Sequence, residues 1–114
     1  MDILLADDQP EVRSALRLLL EQETLVRIVG EAETAPQMLD AVRNVHPDAI
    51  LVDWELPGLS LPDNLSAIRR ICPSAWIIAL SSHPEVRQAA LKAGADAFVC
   101  KGDPAEQLLV VLYR

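Results

Sequence analysis

Basic residues and long apolar runs are scarce in this sequence, and each shortage excludes a class of protein. Only 10 of the 114 residues are Lys or Arg, against 17 Asp and Glu, which gives a net charge of −7. Nucleic-acid backbones are bound by clustered basic side chains, so we expect no direct nucleic-acid binding. No apolar run approaches the roughly 20 residues of a bilayer span, and no signal-peptide pattern is present. We therefore expect a cytoplasmic protein with no membrane contact.

Glycine and cysteine are also scarce. The four glycines stand apart from one another, at Gly30, Gly58, Gly94 and Gly102. The sequence therefore has neither the dinucleotide-binding fingerprint nor the P-loop, both of which need several glycines at fixed spacing. Cys72 and Cys100 could form at most one bridge, and their spacing suggests neither a metal site nor a redox pair. A reducing compartment is the simpler interpretation.

The composition that remains is mainly aliphatic. Hydrophobic residues make up 51% of the chain and charged residues 24%, with two Trp, one Tyr and one Phe. This is typical of a globular domain with an aliphatic core. A chain of 114 residues can bury such a core but is below the size at which chains usually divide. We predict a single domain over residues 1–114, with no output domain among them.

Short apolar segments of β character alternate with segments whose apolar residues have helical spacing. This alternation is typical of βα units around a parallel sheet, and continuous apolar strands suit a sheet covered on both faces. The predicted strands are Asp2 to Ala6, Leu25 to Glu31, Ala49 to Val52, Trp76 to Leu80 and Ala97 to Cys100. The predicted helices are Pro10 to Glu23, Ala35 to Val45, Asn64 to Cys72, Pro84 to Ala93 and Pro104 to Tyr113.

Right-handed crossovers between these units predict an α/β fold. We expect a doubly wound, five-stranded parallel sheet of order 2-1-3-4-5, the flavodoxin-like (βα)5 architecture. Thr34 and Asp103 are predicted N-caps, and Gly94 is expected to end the fourth helix in the left-handed region. In such sheets ligands bind at the carboxyl ends of the strands, where the strand order reverses.

Carboxylates follow two of the predicted strands at that edge. Asp7 and Asp8 come directly after the first strand, and Asp53 comes after the third. Three carboxylates in one place repel one another unless a cation neutralises them. Oxygen ligands point to a hard ion, with Mg²⁺ the first choice. We therefore predict a magnesium site at this edge of the sheet.

Two further polar residues follow the fourth and fifth strands. Ser81 supplies a hydroxyl donor and Lys101 a cation, and together they could hold the oxygens of a phosphoryl group on one carboxylate. The chemistry that this set indicates is phosphoryl transfer to an aspartate. Taken singly, each residue is also compatible with a turn, a helix cap or an exposed position, and only the combination favours a site.

The ordered motifs "ADDQP", "LVDWELPG", "LSS" and "KAGADAFVCK" resemble those of the receiver domains of bacterial two-component response regulators, over essentially the whole chain. The resemblance implies that Asp53 accepts a phosphoryl group from a sensor histidine kinase. It also implies that Asp8 ligates Mg²⁺ directly, that Asp7 supports the ion, and that Glu55 offers it a backbone carbonyl. Beyond its own phosphorylation and dephosphorylation at Asp53, the protein is not expected to be an enzyme.

The same resemblance implies how the signal is passed on. Ser81 and Lys101 would contact the phosphoryl group, and Phe98 matches the aromatic switch residue of the family, although it is equally a candidate for plain core packing. The face formed by the fourth helix, fifth strand and fifth helix (α4-β5-α5) is the expected partner or homodimer surface. The segment "LLADDQPEVRSALRLLL" resembles receivers that precede a helix-turn-helix domain, which favours a role in transcription.

The sequence also departs from the family pattern. The segment "DWELPGLSLPDNL" is about three residues longer than usual and lacks the glycine that opens the third helix. The Glu55 side chain could ligate the metal or slow an attacking water, and Ser82 and His83 replace a residue that is usually small. A receiver-like interaction module without phosphorylation is therefore the second hypothesis. An aspartate-based phosphatase fits less well, because the carboxylates of Asp7 and Asp8 are not spaced for it.

Overall fold

Five strands and five helices alternate along the chain in the computed structural model, which describes residues 1–58 and 63–113. The strands are β1 Asp2–Ala6, β2 Arg27–Ala32, β3 Ala49–Asp53, β4 Trp76–Ser81 and β5 Ala97–Cys100. The helices are α1 Pro10–Leu20, α2 Ala35–Val45, α3 Asp63–Ile71, α4 Arg87–Lys92 and α5 Ala105–Leu112. A short 3-10 helix, Pro84–Val86, leads into α4.

All five strands are parallel, in the order β2-β1-β3-β4-β5. The predicted fold class and strand order are therefore confirmed. Leu5 of β1 lies beside Leu51 of β3, which lies beside Ile78 of β4. Because neighbouring strands run in the same direction, their carboxyl ends meet at one edge of the sheet. At this edge β1 and β3 are neighbours, and the strand order reverses between them.

The core consists of two layers, one on each face of the sheet. Successive strand residues point to opposite faces, so Leu4 packs with Met38 of α2 and Ile68 of α3, whereas Leu5 packs in the layer that contains Leu108 of α5. Burying one such aliphatic side chain contributes about 1.5–3 kcal/mol. Both faces are covered, which explains why the strands are apolar at nearly every position.

One boundary error falls between α1 and β2. The helix ends at Leu20 instead of Glu23, and the strand begins at Arg27 instead of Leu25. The Glu23 N–H donates to the Leu20 carbonyl at 3.0 Å, a turn hydrogen bond that ends the helical pattern, and the Arg27 N–H donates to the carbonyl of Met1 at 2.8 Å. Apolar residues continue through this turn in the sequence, so the pattern alone predicts a helix that ends too late and a strand that begins too early.

The predicted helix ends are partly right. The Thr34 side chain accepts from the Gln37 N–H at 3.3 Å, which confirms the N-cap of α2. Gly94, just after α4, has φ of +117°, as expected for a residue that ends a helix at positive φ. The N-cap predicted at Asp103 is wrong: Pro104 occupies that position without a side-chain cap bond, because α5 begins one residue later than predicted.

The predicted fourth helix is divided. Residues 84–86 form the 3-10 turn, and only Arg87–Lys92 is α-helical. The expected extra length of the segment after Asp53 falls partly on residues 59–62, which lie outside the described residues. Within residues 1–58 and 63–113, no helix has the length and apolar character needed to cross a bilayer.

Candidate functional site

Three aspartates meet where β1 and β3 end. Asp7 follows β1 directly, Asp8 comes next, and Asp53 is the last residue of β3. One carboxylate oxygen from each lies within 4.8 Å of the other two. Asp7 and Asp53 are buried, with 1% and 2% of their surface exposed, whereas Asp8 is exposed. The structure therefore brings together the three carboxylates that the strand-end argument placed at this edge.

Asp53 is held by the chain that follows it. The Glu55 backbone N–H donates to Asp53 Oδ1 at 3.0 Å, so the loop folds back over the carboxylate. Burial raises the pKa of the Asp53 carboxyl to about 6, and Asp7 adds to the rise, while the Glu55 N–H and Lys101 oppose it. Ionised Asp53 is thus a poorly solvated anion, oriented by a backbone hydrogen bond.

Lys101, immediately after β5, is the cation of the site. Its ammonium nitrogen lies 2.8 Å from Asp7 Oδ2 and 3.4 Å from Asp53 Oδ1, and donates to Gln9 Oε1 at 3.2 Å. Burial lowers the pKa of Lys101, but contact with Asp7 and the charge of Asp53 outweigh it, so the pKa is raised overall. Lys101 therefore stays protonated and neutralises only part of the acidic cluster.

The donor set fits a divalent cation. When ionised, the three carboxylates carry three negative charges against one on Lys101, which leaves two uncompensated. Asp7 Oδ2 is buried beside the Lys101 ammonium group, but among the described residues no donor is oriented to form a hydrogen bond with it. A buried oxygen with spare acceptor capacity and an all-oxygen donor set match the preference of Mg²⁺.

Two residues that the sequence reasoning missed hold Asp7 in place. The Gln9 N–H donates to Asp7 Oδ1 at 2.9 Å. Arg13, in the first turns of α1, donates from Nη1 to the backbone carbonyl of Asp7 at 2.6 Å and from Nε to Glu31 at 2.9 Å. Gln9 lies within the motif "ADDQP", and this was the one signal available for it, whereas the contacts of Arg13 depend on how α1 packs beside β2.

Ser81, the last residue of β4, is fully buried, and its hydroxyl bonds to Glu55. Its Oγ lies 2.9 and 3.0 Å from Glu55 Oε1 and Oε2, so its one proton is shared between the two carboxylate oxygens, and it accepts from the His83 N–H at 3.0 Å. The Glu55 carboxylate thus contacts Ser81, and the cluster of three aspartates does not include it. The roles assigned to Ser81 and to the Glu55 carbonyl stay predictions.

A comparison with known families identifies the fold. The family model described as the response regulator receiver domain matches residues 3–113. The chain belongs to this family. Receivers of this kind are signalling switches of two-component systems and are generally not enzymes, and several of the relatives found are transcription regulators.

Curated relatives and solved structures agree with this assignment. The receiver is 33% identical over 114 residues to the nitrate/nitrite response regulator NarL of Escherichia coli K12, covering 98% of this chain and 53% of NarL. It is 29% identical over 108 residues to the transcriptional regulatory protein DesR of Bacillus subtilis, covering 95% of this chain and 54% of DesR. The chain thus spans about half the length of the curated relatives it matches.

The structural likenesses are close. A LuxR-family response regulator from Aurantimonas superposes with a TM-score of 0.88 at 29% identity, covering 98% of this chain and 81% of that one. RcsB of Salmonella enterica, bound to the rprA promoter in the presence of the phosphomimetic BeF3⁻, superposes with a TM-score of 0.86 at 27% identity, covering 99% of this chain and 96% of that one. These scores show a shared receiver fold.

Phe98 is buried within the layer that contains α2, α3 and α4. The Arg87 guanidinium lies over its ring, 5.1 Å from the centroid, in a cation–π contact. Arg87 begins α4 and Phe98 belongs to β5, so this contact joins two elements of the expected α4-β5-α5 surface. Packing of this kind suits both roles considered for Phe98, and its role as a switch stays a prediction.

Proposed function

We propose that this receiver is a phosphorylation switch that accepts a phosphoryl group on Asp53 from a sensor histidine kinase. The observation that carries the proposal is the arrangement of three carboxylates and Lys101 at the carboxyl ends of β1, β3 and β5. Phosphoryl transfer to a carboxylate needs a nucleophilic oxygen with cations close by, and this edge offers both.

In the proposed reaction an Asp53 oxygen forms a bond to phosphorus as the bond from phosphorus to the kinase histidine nitrogen breaks, with the electron pair going to that nitrogen. With a small donor such as acetyl phosphate, the bond to the acetate oxygen breaks instead. Asp8, Asp7, Asp53 and the Glu55 carbonyl would hold Mg²⁺, which supplies charge neutralisation for the phosphoryl oxygens when bound. Lys101 would contribute its ammonium to a phosphoryl oxygen.

The signal would then pass to the partner surface. A phosphoryl group on Asp53 would take the Ser81 hydroxyl as a donor, and the chain after β4 would follow, biasing a two-state equilibrium. The α4-β5-α5 face, where exposed Arg87 covers the buried Phe98 ring, is the proposed partner or homodimer surface. RcsB was solved on promoter DNA, and by analogy we propose that the output of this receiver is control of transcription, carried by another domain or protein.

Acetyl phosphate labelling followed by intact-mass spectrometry tests this function. We expect wild type to gain one phosphoryl group in Mg²⁺, and none in EDTA. Asp53→Asn should stay unlabelled, because its amide cannot attack phosphorus, whereas the exposed control Asp40→Asn should label like wild type. Undiminished labelling of Asp53→Asn would contradict the assignment.

One contact favours the second hypothesis, a receiver-like interaction module. The hydroxyl that a phosphoryl group needs is already bonded to Glu55. A Mg²⁺ titration followed by fluorescence of Trp54, next to Asp53 in the chain, separates the two hypotheses. The switch predicts a saturable change, and a flat titration would favour the module.

A further inference from the structure

The only hydroxyl proton of Ser81 is committed to the Glu55 carboxylate. Both carboxylate oxygens lie at hydrogen-bond distance from Ser81 Oγ, 2.9 and 3.0 Å away, and the hydroxyl accepts from the His83 N–H. Ser81 is fully buried, so solvent does not replace these partners readily. A hydroxyl has one proton to donate, and any new acceptor must therefore displace Glu55.

Glu55 touches both ends of the site. Its backbone N–H donates to Asp53 Oδ1, while its side chain holds Ser81 on the neighbouring strand. The loop after β3 thus links the candidate phosphoryl acceptor to the candidate switch hydroxyl through a single residue. Glu55 as a whole is exposed, so its carboxylate has room to turn away into solvent.

We propose that the Glu55 side chain is a positioning residue that holds the Ser81 hydroxyl in the unphosphorylated receiver and competes with the phosphoryl group for it. This inference rests on the proposed function and adds a regulator to it. A phosphoryl group on Asp53 carries like charge to the Glu55 carboxylate, so the two cannot share the Ser81 proton without repulsion. Glu55 must leave before Ser81 can bind the phosphoryl oxygen.

The consequence is a shift in the switch equilibrium. The hydrogen bond from Ser81 to Glu55 exists only in the unphosphorylated arrangement, so its free energy stabilises that arrangement. It therefore weakens the apparent affinity for any ligand that requires the phosphorylated arrangement. Hydrogen bonds to charged acceptors are among the stronger ones, but solvent exposure of Glu55 reduces the effect. We expect Glu55 to weaken phosphoryl binding by about 3- to 10-fold.

A double-mutant cycle measures this competition. The probe is beryllium fluoride in the presence of Mg²⁺, titrated into wild type, Glu55→Ala, Ser81→Ala and the double variant. Binding is followed by tryptophan fluorescence, to which Trp54, next to Asp53, contributes. Glu55→Ala should bind about 3- to 10-fold more tightly than wild type. In the Ser81→Ala background the same substitution should change affinity by less than about 2-fold, since coupling needs both partners.

Two controls separate the hydrogen bond from the charge alone. Glu85→Ala removes another exposed carboxylate beyond β4 and should leave binding near wild type. Glu55→Gln keeps an acceptor oxygen without the charge, and should lie between wild type and Glu55→Ala. Equal gains from Glu55→Ala with and without the Ser81 hydroxyl would show simple charge repulsion and overturn the inference while the proposed function stands.

Failure of the proposed function has a different signature. If wild type binds no beryllium fluoride in Mg²⁺, the proposed function is contradicted and the inference falls with it. An independent measurement needs no phosphoryl mimic: the Ser81 hydroxyl proton, observed by NMR, should exchange with solvent more slowly in wild type than in Glu55→Ala. Equal exchange rates in the two proteins would also overturn the inference.

Discussion

Replacing Asp53 with asparagine should stabilise the metal-free receiver. Burial raises the pKa of this carboxyl from its ordinary value of 3.8 to about 6, which corresponds to about 3 kcal/mol of destabilisation at neutral pH, at ~1.4 kcal/mol for each tenfold change in proton affinity. This figure already includes the opposing attraction of Lys101. Asparagine keeps an acceptor oxygen for the Glu55 N–H but buries an amide NH2 group in place of the charge. We therefore expect a net gain of about 2 kcal/mol, or roughly 8 °C in Tm.

The assay is thermal and urea denaturation in EDTA as a function of pH. A raised carboxyl pKa destabilises the fold fully above the folded value, near pH 6, and the effect disappears as pH falls below about 4. The stability that Asp53→Asn gains over wild type should therefore shrink as pH falls from about 6 to about 4. Asp8→Asn, which removes an exposed carboxylate from the same cluster, should stabilise less. If Asp53→Asn were no more stable than wild type at neutral pH, the ionised Asp53 carboxylate would not destabilise the fold as predicted.

Three further predictions concern the metal and the scaffold. Asp8→Asn should weaken Mg²⁺ binding at least about 10-fold with the fold intact, measured by titration calorimetry, because it removes one anionic oxygen ligand. Arg69→Ala should lower the free energy of unfolding by about 2 kcal/mol, since Arg69 bonds two backbone carbonyls and a carboxylate, while its exposed neighbour Arg70→Ala should have little effect. Gly94→Ala should lower the free energy of unfolding by about 1–2 kcal/mol because Gly94 has φ of +117°, although an added Cβ would meet nothing closer than 3.9 Å. The control Gly102→Ala should be near neutral. Urea denaturation measures both the arginine pair and the glycine pair.

Hydrophobic pattern was enough to predict the architecture. The strands of this sheet are covered on both faces, so continuous apolar segments such as Asp2–Ala6 marked them, and parallel pairing then brought their ends to one edge. The cluster of Asp7, Asp8 and Asp53 follows from that topology alone. Residues at strand ends are therefore the part of a site that sequence order predicts best.

The remaining details depend on contacts between segments far apart in the chain. The hydrogen bond from Ser81 to Glu55 joins the end of β4 to the loop after β3. The position of Glu55, two residues after Asp53 in the sequence, does not indicate where its flexible side chain points. The support of Asp7 by Arg13 likewise needs the packing of α1. Asp103 has the right chemistry for a cap but the wrong position, because α5 begins after Pro104.

Chemical mapping of the phosphorylated residue tests whether Asp53 is the phosphoryl acceptor. The receiver is treated with acetyl phosphate and Mg²⁺, reduced with borohydride, digested and sequenced by mass spectrometry, since reduction converts an aspartyl phosphate to homoserine. We predict homoserine at Asp53 and at no other aspartate, and only when Mg²⁺ is present. Homoserine at Asp7 or Asp8, or none at any aspartate after full treatment, would contradict it.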